Sequence, residues 1–179
     1  MATIAVFCGS RSGESEAFTH EAVAFAEALV TAGHSVVYGG GSTGIMGAIA
    51  NTCLQGGGNI TGVIPEFLAT DELMHPDVEM QVVADMHKRK QMLHELADAY
   101  AVLPGGFGTM EEAFEAIAWR QLKLHPNPVG VLNCDGMFDG LQILCTSLLK
   151  SGFISSQCYQ LVKFHTSAID LANWLNATC

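Results

Sequence analysis

Basic side chains are scarce in this sequence, eight lysines and arginines against eighteen aspartates and glutamates, yet three stand side by side in Asp85-Met86-His87-Lys88-Arg89-Lys90. A scarce charge that is concentrated suits a small anionic ligand. A second stretch, Leu103-Pro104-Gly105-Gly106-Phe107-Gly108-Thr109-Met110-Glu111-Glu112, has the chemistry to meet it. Its glycines lie between an apolar run and a helical pattern, which leaves backbone N–H groups free to point at a phosphate, and the helix dipole adds roughly half a positive charge there. Thr109 can donate its hydroxyl to the same group. Glu111, Glu112 and Glu115 crowd the first turns, where a carboxylate is expected to stay ionised and to stabilise a developing cation better than it donates a proton. Both stretches also have plain structural accounts. Thr109-x-x-Glu112 matches a capping box, and a run of charge is often only a solvated helix face. What favours chemistry is their conjunction: in a parallel sheet the two loops share one edge, so guanidinium, ammonium and main-chain amides can converge on one phosphorylated ligand.

A third loop is ambiguous. Gly39-Gly40-Gly41-Ser42-Thr43-Gly44 matches Gly-x-Gly-x-x-Gly, with Glu66 where a dinucleotide fold keeps its ribose acid, but it follows the second strand rather than the first. It also contains Gly-x-Ser-x-Gly, which would put Ser42 on a nucleophile elbow with His165 as a recruitable base. The simpler account, glycines permitting a tight turn and close backbone approach, is favoured for this loop. No lysine follows Gly44 as a P-loop requires. Neither His20-Glu21 nor His94-Glu95 completes a zinc-protease motif, and no metal spacing is present.

Short apolar or β-branched runs near residues 3–8, 35–39, 60–64, 79–83, 99–103 and 128–132 alternate with helical patterns near 15–32, 44–56, 86–98, 109–123, 137–150 and 167–176. Strands that are apolar throughout are covered on both faces, so this order predicts an α/β fold of Rossmann-like type: a three-layer sandwich with a mostly parallel sheet flanked by helices. In the helix over 109–123, Met110, Ala113, Phe114, Ile117 and Gln121 or Leu122 recur at helical spacing and are expected to face the sheet. With 179 residues, 49% hydrophobic and 15% charged, the chain is expected to form one domain over 1–179. No apolar run is long enough to span a membrane, and the amino terminus reads as a strand rather than a signal peptide, so the cytoplasm is the default expectation. The six cysteines show no Cys-x-x-Cys pair, which indicates neither a disulfide framework nor a zinc site. A formal charge of -10 disfavours nucleic acid and anionic membrane as partners.

Met86-His87-x-Arg89-Lys90 followed by Pro104-Gly105-Gly106-x-Gly108-Thr109-x-x-Glu112 resembles the LONELY GUY (LOG) family of cytokinin riboside 5'-monophosphate phosphoribohydrolases, which has also carried a lysine decarboxylase label. Cys8-Gly9-Ser10, Gly39–Gly44 with Met46-Gly47, Gly62–Pro65 and Pro128–Asn133 extend the likeness over nearly the whole chain. The resemblance implies a homodimer that cleaves the N-glycosidic bond of an N6-modified AMP, releasing free base and ribose 5-phosphate, with no metal and no organic cofactor. By position, Arg89 and Glu112 match the catalytic pair. Glu79, Met86, Lys90, Gly105, Gly106, Phe107, Gly108, Thr109, Met110, Glu111, Ser10 and Gly41 are the implied substrate-binding positions, and Ala118 stands where many plant members have threonine. The chemistry this implies places an ionised Glu112 on one side of the sugar and the Arg89 guanidinium on the other. The alternative is a nucleotide or cofactor carrier of Rossmann type, which binds without turnover.

Overall fold

The computed structural model describes all of residues 1–179. Seven strands, β1 (Thr3–Phe7), β2 (Ser35–Tyr38), β3 (Ile60–Pro65), β4 (Glu79–Val83), β5 (Ala99–Val102), β6 (Val129–Leu132) and β7 (Val162–His165), form one sheet in the order β4-β3-β2-β1-β5-β6-β7. Every pairing is parallel. The helices are α1 (Glu16–Thr31), α2 (Gly44–Gln55), α3 (Met86–Leu96), α4 (Phe107–Gln121), α5 (Asp139–Lys150), the single turn α6 (Ser156–Tyr159) and α7 (Ala168–Thr178). The seventh strand, only a possible one in the sequence before His165, and the single turn α6 stand outside the six strands and six helices read there; Val162-Lys163-Phe164-His165 pairs with β6.

Both faces of the sheet are buried, as strands apolar throughout require. Along β1, Ile4 and Val6 enter a core built with α1, α2 and α7, while Ala5 and Phe7 enter a second core with α3 and α4. Side chains alternate across a strand, so consecutive apolar residues are what a doubly covered sheet needs. The edge strand β4 is the exception, with Glu79 and Val82 exposed. No helix is long and apolar enough to cross a membrane, and all six cysteines are free thiols.

Helix α4 departs from expectation in part. Its buried residues are Thr109, Glu112, Ala113 and Ala116, so the face against the sheet is made of small side chains and one carboxylate. Phe114 is exposed, and Met110 and Ile117 are half-buried at the border. Ala113 is in the core and Met110 and Ile117 pack against it, as expected, while Phe114 and Leu122 point outward; the small residues let α4 pack close and bring Glu112 inward. The helix also begins at Phe107, with Gly106 as its N-cap and no side-chain cap. Thr109 therefore sits within the first turn, and the expected Thr109/Glu112 capping box is absent.

The sheet order grows in one direction from β1 through β2, β3 and β4 and in the other through β5, β6 and β7. Between β1 and β5 the loops leave in opposite senses, which opens a crevice at the carboxyl ends of these two strands.

Candidate active site

A cleft of about 500 Å³ occupies that crevice, a size suited to a small organic ligand. Its walls are the loop after β1 (Cys8 to Gly13), the Pro104–Thr109 turn, and side chains of Ile45, Met46, Arg89, Glu112, Phe18 and Met137. The two stretches singled out by their chemistry do meet.

Arg89 lies on the first turn of α3, whose start is fixed by Asp85: the carboxylate accepts the Lys88 N–H at 2.8 Å. From there the Arg89 side chain runs under the sheet edge. Its Nε donates to the Val63 carbonyl at 3.0 Å and its Nη1 donates to Glu112 Oε1 at 2.6 Å. Both residues of this ion pair are buried, Arg89 at 8% and Glu112 at 6% exposure. Guanidinium and carboxylate are thus in direct contact, which corrects the expectation of a sugar between them. Burial pushes the Glu112 carboxyl above the ordinary glutamate range, and the adjacent Arg89 charge restrains that rise. This differs from the ionisation expected of a solvent-exposed first-turn carboxylate.

The Pro104–Thr109 turn supplies the second half of the site. The N–H groups of Phe107, Gly108 and Thr109 begin α4 and have no acceptor within the helix. They open on the cleft together with the Thr109 side chain, an arrangement that binds anions.

The remaining implied positions divide. Ser10, Gly105, Gly106, Phe107, Gly108 and Thr109 line the cleft, whereas Glu79, Met86, Lys90, Met110, Glu111 and Gly41 do not in the single chain. Glu79 begins the edge strand β4, at the end away from the loops. Lys90 is already engaged, its ammonium 2.5 Å from Glu111 and 3.1 Å from Glu115. Behind it His94 of α3 is packed against α4: Nδ1 is hydrogen-bonded with the Tyr100 hydroxyl at 2.7 Å, Nε2 reaches Glu115 at 3.3 Å, and the ring stacks on Trp119. Burial holds His94 below the ordinary histidine range and pushes Tyr100 up to about 12.

The Gly39–Gly44 loop is structural. The segment after β3 lies across it, with Ser42 N–H donating to Leu73 and His75 N–H donating to Gly40. Ser42 lies in the loop after β2 and His165 ends β7, strands separated by β1, β5 and β6, so no Ser–His pair forms, and Glu66 is an exposed residue of a 3-10 turn.

The cleft residues that the sequence does not mark, Phe18, Ile45 and Met137, are apolar side chains whose role comes from tertiary approach, as does that of Met46, which the sequence marks only through the resemblance. Arg11 has a visible signal in its rarity. Cys8 lies at the floor, where burial and the Glu112 charge push its thiol up and keep it protonated.

Residues 46–175 match the family model described as "Possible lysine decarboxylase". A decarboxylase of that kind would need a lysine to hold pyridoxal phosphate as a Schiff base, and no lysine lines the cleft. Among solved structures the chain is similar to the molybdenum cofactor carrier protein of Chlamydomonas reinhardtii, with a TM-score of 0.74 at 21% identity over 99% of both chains. It is also similar to the molybdenum cofactor binding protein of Rippkaea orientalis, with a TM-score of 0.74 at 16% identity over 99% of this chain and 96% of that one; likeness at that distance shows a shared fold. Sequence likeness reaches further. The chain is 44% identical over 169 residues, 94% of its length and 76% of the relative's, to the probable cytokinin riboside 5'-monophosphate phosphoribohydrolase LOGL1 of Oryza sativa subsp. japonica. It is 40% identical over 173 residues, 96% of its length and 80% of the relative's, to the cytokinin riboside 5'-monophosphate phosphoribohydrolase LOG4 of Arabidopsis thaliana. Relatives that span most of both chains, set beside the Arg89–Glu112 pair and the glycine turn at Gly105 that carry the motif, place this chain in the LOG family of cytokinin riboside 5'-monophosphate phosphoribohydrolases.

Proposed function

We propose that this protein hydrolyses the N-glycosidic bond of a nucleoside 5'-monophosphate, AMP or an N6-modified AMP, to the free base and ribose 5-phosphate. The observation that carries the reading is the buried Glu112 carboxylate, held by Arg89 at the wall of a cleft whose neighbouring turn is built for a phosphate. The amides of Phe107, Gly108 and Thr109 and the Thr109 hydroxyl hold the 5'-phosphate. Binding energy far from the reacting bond then positions C1' over Glu112. As C1'–N9 breaks, its electron pair leaves with the purine and positive charge builds on the ribose. The carboxylate stabilises that charge and accepts a hydrogen bond from the attacking water. One water is consumed, its hydroxyl ending on C1' and a proton on the base. Arg89 acts through its charge and its hydrogen bond as a positioning group: it keeps Glu112 aimed and favours its charged form.

A carrier that only stored a phosphorylated ligand gains nothing from a buried carboxylate beside the phosphate, which repels it. The deciding experiment incubates the pure protein with AMP, isopentenyladenosine monophosphate and the two matching nucleosides, followed by chromatography. Free base from the monophosphates supports the proposal. Intact monophosphates that bind tightly in calorimetry support the carrier instead.

The same reading includes a second copy of the chain. The outward stripe of α4, with Phe107 and Phe114 exposed and Leu122 and Leu124 following its end, is an apolar surface adjoining the cleft, the kind of patch that another protein surface covers. A homodimer through α4 would also bring a neighbour close to the positions that the single chain leaves outside its cleft.

A further inference from the structure

One cation in the cleft has no acidic partner. Arg89 is committed to Glu112, and Lys90, outside the cleft, to Glu111 and Glu115. Arg11 lines the same cleft, is exposed, and forms no ion pair.

Its backbone, by contrast, is held from three directions. The preceding Gly9 donates its N–H to the Pro104 carbonyl at 2.9 Å and accepts the Met46 N–H at 3.1 Å. The Ser10 carbonyl accepts the Thr43 hydroxyl at 3.0 Å. Gly44, at φ +61, presses on this segment so closely that a Cβ there would lie 2.4 Å from Arg11 N. This is what the glycine-rich loop after β2 accomplishes: it buttresses the β1 loop rather than cradling a ligand itself. The Gly9–Pro104 bond also fastens the loop to the phosphate turn, so Arg11 projects from the wall beside Gly105–Thr109. A fixed backbone with a free guanidinium is a preorganised donor waiting for an acceptor.

We infer that Arg11 closes on the terminal phosphate of the substrate and selects a phosphomonoester over both the unphosphorylated nucleoside and longer phosphate chains. The inference rests on the proposed phosphoribohydrolase activity and names the residue that sets its phosphate requirement. Charge supports it. A phosphomonoester carries about -1.5 to -2 at neutral pH. The α4 amino terminus offers roughly +0.5, too little alone in a chain whose formal charge is -10, and one guanidinium brings the local positive charge near balance. A diphosphate or triphosphate would exceed it with no other free cation in the cleft. The planar fork of arginine also suits two phosphate oxygens at once.

The test compares wild type, Arg11→Gln and Arg11→Lys on AMP, adenosine and ADP, with circular dichroism as the check on folding. Arg11→Gln is expected to raise KM for AMP about 10- to 100-fold, the size of a lost charged hydrogen bond, with kcat within about threefold. The kcat/KM preference for AMP over adenosine should fall by a similar factor, and Arg11→Lys should restore part of it. An unchanged KM for AMP, or an equal loss on AMP and adenosine, overturns the assignment. If wild type releases no base from either AMP or isopentenyladenosine monophosphate, the activity reading fails instead. Calorimetry with AMP then decides on Arg11 separately: weaker binding by Arg11→Gln supports its phosphate role, and equal binding overturns it.

Discussion

Gly39 and Arg89 are in contact: a Cβ on Gly39 would lie 2.5 Å from Nη2 of the guanidinium and 3.2 Å from Cε of Met46. The arginine reaches Glu112 only because the end of β2 carries no side chain there. Gly39→Ala is therefore expected to displace the guanidinium from Glu112 while the fold survives, at a cost of about 1–3 kcal/mol for overpacking. Turnover of AMP should fall at least about tenfold with little change in KM, since the phosphate turn is untouched. Full activity in Gly39→Ala would show that the ion pair tolerates a shift of that size and is not what positions the carboxylate.

Glu112→Gln separates charge from shape. Gln keeps an oxygen that can accept from Arg89, but the buried guanidinium loses its counter-charge. Removing one partner of a buried pair costs about 3–5 kcal/mol, an upper figure here because a hydrogen bond remains. Turnover should drop by about three orders of magnitude or more, as for removal of a major charge-stabilising group, while calorimetry still detects AMP. A variant that turns over normally would reduce Glu112 to a packing residue.

How far these residues are legible in the sequence follows from what kind of signal each carries. The sheet is visible because doubly buried strands such as Tyr100–Val102 have no polar register to disguise them. Arg89 and Glu112 are visible as rare charges beside a glycine turn. The contact between them is not, because it depends on Gly39, a residue from a third loop whose pattern suggests a ligand cradle. The outer border of the α4 stripe escapes the sequence for a related reason, although Met110, Ala113 and Ile117 do face the core. Periodicity locates an apolar stripe but not the layer that covers it, and here Ala113 and Ala116 take the sheet while Phe114 is left outside. Phe18 and Met137 carry no signal at all, since an apolar wall residue looks the same as a core residue.

Acidity acts on the site and on the fold with opposite signs for different groups. Glu112 titrates above the ordinary range because it is buried, so kcat/KM should decline on acidification at a pH clearly above the ~4.3 of a free glutamate. Its own contribution to stability goes the other way, because a raised carboxyl favours folding of the protonated form. His94, His125 and His165 are held below the ordinary range by burial. The unfolded chain takes up their protons first, so stability is lost as pH falls from ~6.5 through their folded values. Urea midpoints at about pH 7.5 and about pH 5.5 should differ, with the acidic one lower. His94→Gln should flatten the difference, since its amide can replace the neutral ring against Tyr100 without titrating. A midpoint that does not move over this interval would mean that the three rings protonate without leaving their pockets.

The outward stripe of α4 makes a prediction about assembly that is independent of the chemistry. Phe114 is 42% exposed in the single chain, so replacing it with Glu removes modest packing from the fold but puts a charge in the middle of any surface that covers α4. The partner copy would present the same new carboxylate across a twofold axis, so the two charges repel. Light scattering on wild type should give twice the chain mass of 19.0 kDa, and Phe114→Glu should give the single-chain value with its circular dichroism preserved. Helix α5 supplies the control: Ile143→Glu places the charge on a different exposed apolar residue and should leave the dimer intact. A wild-type protein that scatters as a single chain, or a dimer broken by Ile143→Glu and not by Phe114→Glu, would move the interface away from α4.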